Sequence, residues 1–173
     1  MITIFVRDCN QISQSFYDSV INDLQLHRLT CSCSHSACLS VHGYYKRTVK
    51  LPFRSVSLRI CRVRCSVCGT THALLLSSLI PYSRIPLSVQ QRICMDYEEG
   101  LSAGTVCESD PSIDENNVKS VLRNYRLRWR EMLRSLKIRL FPIDDLILSC
   151  FSDYSLQFMQ IHQRVNILFS FTT

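Results

Sequence analysis

The chain has 173 residues, 46% of them hydrophobic, ten cysteines and a formal net charge of +6. That length suits one domain or two small ones, the apolar fraction excludes wholesale disorder, and no run approaches the ~20 apolar residues of a membrane span. The charge is segregated: Leu24 to Met95 contains no acid but ten bases, and Lys119 to Arg139 has Glu131 as its one acid against eight bases, the electrostatic footprint of a polyanion binder.

Residues 1–30 read as an N-terminal extension, with "ITIFV" as a short strand. Phe16, Val20, Ile21, Leu24 and Leu26 follow at near-helical spacing. No basic segment leads into an apolar core and cleavage site, which predicts a cytoplasmic chain with reduced thiols.

Residues 31–84 read as a small zinc-ribbon domain. "CSCSHSAC" is a small, polar, metal-binding loop, and "LSVHGYYKRTVKL" and "SVSLRICRVRC" are two strands joined by a turn near Pro52. "HALLLSSLIPYSRIP", with Pro81 and Pro86, reads as the link out of this module.

Residues 85–140 read as a helix-turn-helix domain. "PLSVQQRICMDYEEG" is a helix stopped by Gly100, a short helix begins near Ser102, and a long basic helix starts at Ser112. Ser112 with Glu115 makes a capping box. Val118, Leu122, Tyr125, Trp129, Met132 and Leu136 form its apolar stripe. Residues 141–173 are an apolar and aromatic tail, expected to be one helix plus an extended end. It packs on the core or makes a homodimer contact. The fold class expected is therefore α+β, a β-hairpin zinc ribbon followed by helices.

Among the cysteines, Cys65 and Cys68 stand in "CSVCG", a C-x2-C turn whose amides point at the sulfurs and hold both on one side of a metal. With a second cluster about thirty residues upstream across the hairpin, this predicts one structural zinc per chain. Upstream, Cys31, Cys33 and Cys38 offer three sulfurs for two places. The C-x4-C loop of Cys33 and Cys38 is preferred, with Cys31 the near alternative and His35 a further candidate. A redox pair needs a C-x-x-C at a helix N-terminus in an α/β pattern, which is missing. His72, four residues beyond Cys68, is a candidate ligand with a turn anchor the preferred reading, His42 reads as orienting the hairpin, and Cys9, Cys61, Cys94, Cys107 and Cys150 as small buried hydrophobes.

Arg62 and Arg64 share a strand face, with Lys46, Arg47 and Lys50 on or near the partner strand, a cationic surface for a phosphate backbone. On the long helix, Lys119, Arg123, Arg126 and Arg130 lie off the apolar stripe. Asn116 and Asn117 can read base edges, and Asn124 adds a third amide.

"HGYYKR…LRICRVRCSVCGTTHALL…LIPYS", followed by three helices, resembles a bacterial family of uncharacterised, transposon-associated proteins related to the N-terminal zinc finger and helix-turn-helix of ISL-type transposases. The resemblance spans roughly residues 30–135. It implies that Cys65 and Cys68 are the second ligand pair and that Cys31 is the first ligand of a "C-P-x-C-G" turn. The fourth place of that turn is Ser34, so Cys33 or Cys38 substitutes. The large nuclease domain of such transposases does not follow, and no activated nucleophile with a partner stands out. The expectation is a non-enzymatic regulator or mobile-element accessory factor that binds double-stranded DNA. The alternative is a protein-interaction module docking onto a transposase, polymerase or phage-defence component. RNA binding is a third reading.

Overall fold

Two runs rich in Val, Ile and Tyr on either side of Pro52 form a long hairpin, β2 (Leu39–Leu51) and β3 (Arg54–Cys65), turning at Pro52–Phe53 with a bulge between Val41 and Gly43. The computed structural model describes residues 1–108 and 113–160, a mixed α and β fold. The segment expected to link out of the hairpin is itself a strand, β4 (Thr71–Leu76). Its apolar run suits a strand covered on both sides: β1 (Ile2–Ile4) pairs parallel with it, giving the order β1-β4-β3-β2.

The β3–β4 ladder runs only from Arg62–Ala73 to Arg64–Thr71. Where it ends, helix α1 (Gln14–Asn22), capped by the Ser13 hydroxyl, supplies the missing partners. The Tyr17 hydroxyl donates to Leu74 O (2.9 Å) and accepts from Cys61 N–H (2.8 Å). Gln14 Oε1 accepts from Arg59 N–H at 2.6 Å. Buried backbone groups left open would each cost about 1–3 kcal/mol, so α1 stands in for a strand. Tyr17, Leu58, Ile60, Val63, Leu74 and Leu75 form the core of this half.

The second half is helical. Helix α2 (Leu87–Glu98) follows Pro86 and ends before Gly100, whose φ of +89° suits glycine. After α3 (Ala103–Glu108), α4 (Glu115–Asn124) starts at an N-cap two residues later than the capping box predicts. Asp114, not Ser112, is the cap, its carboxylate accepting from Asn117 N–H at 2.9 Å; Asp is as good a cap as Ser, and Ser112 lies outside the described residues. A π-helical turn, Tyr125–Trp129, continues into α5 (Arg130–Ser135). The wider turn rephases the stripe by about one residue. Val118, Leu122, Tyr125, Trp129 and Leu133 are buried, whereas Leu136 is 49% exposed. Trp129 is fully buried, edge-on to Tyr154 (5.8 Å) and Phe158 (5.2 Å). Helix α6 (Ile143–Tyr154) adds Leu146, Ile147 and Cys150 to the same core. This part of the tail therefore packs on its own chain; residues 161–173 lie outside the described residues.

Polar bridges join the halves: Lys50 pairs with Asp114 at 2.9 Å, and Gln157 donates to Ser77 O. No helix among the described residues is long and apolar enough to cross a membrane.

Candidate metal centre and cationic face

The turn after β3 folds so that Cys68 N–H points at Cys65 Sγ (3.4 Å) and Gly69 N–H closes on Cys65 O (3.0 Å). Gly69 takes φ +72°, a left-handed backbone that a Cβ disfavours. Arg64 Nε donates to Gly69 O at 3.2 Å and braces the same turn.

Opposite lies the loop before β2. Ser34 N–H donates to Cys31 O (2.8 Å), Cys31 N–H donates to His35 O (2.9 Å), and Ser34 and Ala37 carry φ of +67° and +53°. That wound backbone lets a C-x-C pair present both sulfurs to one point. The two pairs meet: one ligand atom from each of Cys31, Cys33, Cys65 and Cys68 lies within 4.8 Å of all the others. Cys31 Sγ is 3.6 Å from Cys68 Sγ, and Cys33 Sγ 3.8 Å from Cys65 Sγ. A tetrahedron with metal–sulfur bonds of about 2.3 Å has edges of about 3.8 Å. The four thiols can hold a metal ion such as zinc.

Cys38, preferred by spacing as the partner of Cys33, is not among the four. Its thiol donates to His35 O (3.2 Å) and lies 3.4 Å from Cys65 Sγ, beside the cluster rather than in it. The reason is the strained turn: once Ser34 and Ala37 go left-handed, Cys31 swings in and Cys38 is used to support a sulfur. His35 is exposed, its ring turned to Cys33 O. His72, 3% exposed, sets Nε2 3.2 Å from Cys31 Sγ and Nδ1 2.9 Å from Met1 N. It anchors the upstream pair, not its own turn. Supporting groups of this kind orient the sulfurs of a metal site.

Acidity separates the Cys65–Cys68 turn from the other cysteines, whereas the Cys33 thiol in the same cluster is pushed up to about 12. The Cys68 amide, with the Cys38 thiol, pulls the Cys65 thiol down to about 6, and Thr70 lowers that of Cys68. Burial raises the rest: Cys9 to about 11, Cys150 to about 12, and Cys61 and Cys94 upward as well. Thiolate is the metal-binding form.

Compared with protein-family models, curated proteins and solved structures, the chain matches none.

The expected cationic residues divide into two sets. Lys46, Arg62, Arg123 and Arg126 are exposed and carry no ion pair among the described residues. Asn116 is exposed too. The others are engaged within the fold. Arg47 is half-buried and donates to the carbonyls of Ile80 and Ser83, the latter at 2.6 Å. Arg130 pairs with Glu98 at 2.7 Å and covers the Tyr97 ring, Lys119 pairs with Glu115, Lys50 with Asp114, and the Asn117 amide turns to Asp114. Period and charge place a basic residue on a face; they do not show which carbonyl or carboxylate folds back onto it. The loop of Tyr82 and Arg84, which flanks the cationic sheet face, passed as linker. Its one sequence signal is an aromatic and an arginine together in the acid-free stretch.

Proposed function

We propose that the chain is a duplex DNA-binding protein in which one zinc, held by Cys31, Cys33, Cys65 and Cys68, is structural. It serves as a regulator or accessory factor of a mobile element. The observation that carries the reading is the four-sulfur cluster at the base of the hairpin, with Arg62 and Arg64 exposed on one face of β3 above it. All four zinc positions are filled by protein sulfur, which leaves no open place for a substrate. The metal's work is then to fix the hairpin so that its cations face phosphate.

Helices α2, α3 and α4 form the helix-turn-helix of this reading, with α4 entering the major groove. Its exposed face offers Asn116 to base edges and Arg123 and Arg126 to phosphates. Binding that neutralises about six phosphates weakens on the order of a thousandfold between about 50 and 200 mM salt. Titration of zinc-loaded protein into labelled duplex across that range tests this. A binding constant that barely changes with salt would point instead to an apolar protein-docking module, and RNA outcompeting duplex would point to the RNA reading.

A further inference from the structure

A groove of about 660 Å³ runs along one face of the sheet, lined by Tyr45, Lys46, Arg62, Thr71, Tyr82 and Arg84 among others, with no acid in its lining. Ala73 and Leu75 contribute apolar floor. We propose that this groove binds a single-stranded segment of nucleic acid, with a base stacked on Tyr82 and phosphates held by Arg62 and Arg84. The proposal rests on the polyanion-binding reading above but assigns a different ligand form to a groove that shares Arg62 with the cationic hairpin face.

Three observations carry it. The first is preorganisation. The loop forming one wall is pinned to β2 by Arg47 donating to Ile80 O and Ser83 O, and by Lys50 N–H donating to Arg84 O at 2.7 Å. A wall fixed in advance lowers the entropic cost of binding. The second is Tyr82, at the apex of that loop. Its ring is 86% exposed, and its backbone sits at φ +60°. A bulky residue in the left-handed region is an outlier, and such strain gathers at ligand-binding positions. The fold places an exposed aromatic residue at a backbone position where glycine would be easier. The third is shape. A groove this size matches a single small ligand or a short strand. A duplex is instead read by a convex helix or ribbon entering its own groove.

Cationic walls with an aromatic platform are what sequence-tolerant single-strand binding uses. A second, smaller cavity of about 230 Å³ shares Tyr82, Ser83 and Arg84 and is lined on its far side by Asn117, Ser120 and Asn124 of α4. A strand leaving the sheet groove over Tyr82 therefore arrives at the amides of the basic helix. This also accounts for Asn117 and Asn124 lining a cleft.

The test is fluorescence anisotropy of zinc-loaded protein with labelled oligodeoxyuridylate and oligouridylate of about twelve nucleotides, and separately with duplex. Wild-type protein is expected to bind one or both single strands; the preferred oligomer identifies the sugar. Tyr82→Ala is expected to weaken that binding about tenfold, and Tyr82→Phe to restore it. Arg84→Ala should lower the slope of log affinity against log salt by about 0.7. Duplex affinity should stay unchanged in all three. Single-strand affinity that is indifferent to both Tyr82→Ala and Arg84→Ala would overturn the assignment. So would duplex binding without any single-strand binding, which leaves the duplex reading intact. Single-strand binding without duplex binding would keep the groove and remove the duplex reading.

Discussion

Cys65→Ser is expected to lower zinc affinity by more than about a hundredfold, beyond the loss caused by removing a mere supporting partner of a ligand. Cys65 Sγ touches both loops, with Cys33 at 3.8 Å, Cys38 at 3.4 Å and the Cys68 amide at 3.4 Å. Its thiol is also held down to about 6, by the Cys68 amide first and the Cys38 thiol beside it, which favours the metal-binding thiolate form. Without the metal, the loop before β2 and the turn after β3 are held by hydrogen bonds such as Ser66 N–H to Cys38 O and by the packing of Cys31, Cys38 and Cys65. The strained backbone at Ser34 and Ala37 would then relax. The β2–β3 end next to the cysteines should lose its ordered amide signals, while Trp129 fluorescence, reporting the helical core, changes little. Amide spectra of the zinc-loaded and chelated protein, compared with those of Cys65→Ser, check this. Wild-type-like spectra with full metal content would sink it.

Trp129→Ala should do the converse. The indole is fully buried between Tyr154 and Phe158, and large-to-small changes at such sites cost about 3–5 kcal/mol. At ~2–4 °C per kcal/mol for a chain of this size, the melting temperature falls by roughly 6–20 °C. Zinc content should be unaffected, because none of the four cysteines touches this cluster. Thermal melts read with metal analysis check both halves. A melting temperature within a degree or two of wild type would show that α6 does not close the core as described.

These two substitutions probe features of unequal visibility in the sequence. The hairpin is plain, because two runs rich in Val, Ile and Tyr on either side of Pro52 read as paired strands. Cys65 and Cys68 were plain because a C-x2-C turn before glycine has a local geometry. The upstream pair was not, because the choice of Cys31 over Cys38 depends on the left-handed turn at Ser34 and Ala37, which neither residue advertises. Strand β4 reads as a link in the sequence because its apolar run carries no alternation. It is covered on both sides, and its partner Ile2–Ile4 lies some seventy residues away. Arg47 looked like its neighbours Lys46 and Lys50. Only the approach of the Ile80–Ser83 loop turns it into a strut. The α4 stripe was legible up to Trp129 and then slipped, because a π-helical turn shifts the phase without a sequence signature.

The most direct measurement is zinc-edge X-ray absorption on protein purified without added metal, together with the zinc-to-protein ratio. One zinc per chain surrounded by four sulfurs at about 2.3 Å is the result predicted by Cys31, Cys33, Cys65 and Cys68. Protein free of metal with freely titrating thiols, or a shell with a nitrogen ligand from His72 in place of one sulfur, would contradict it.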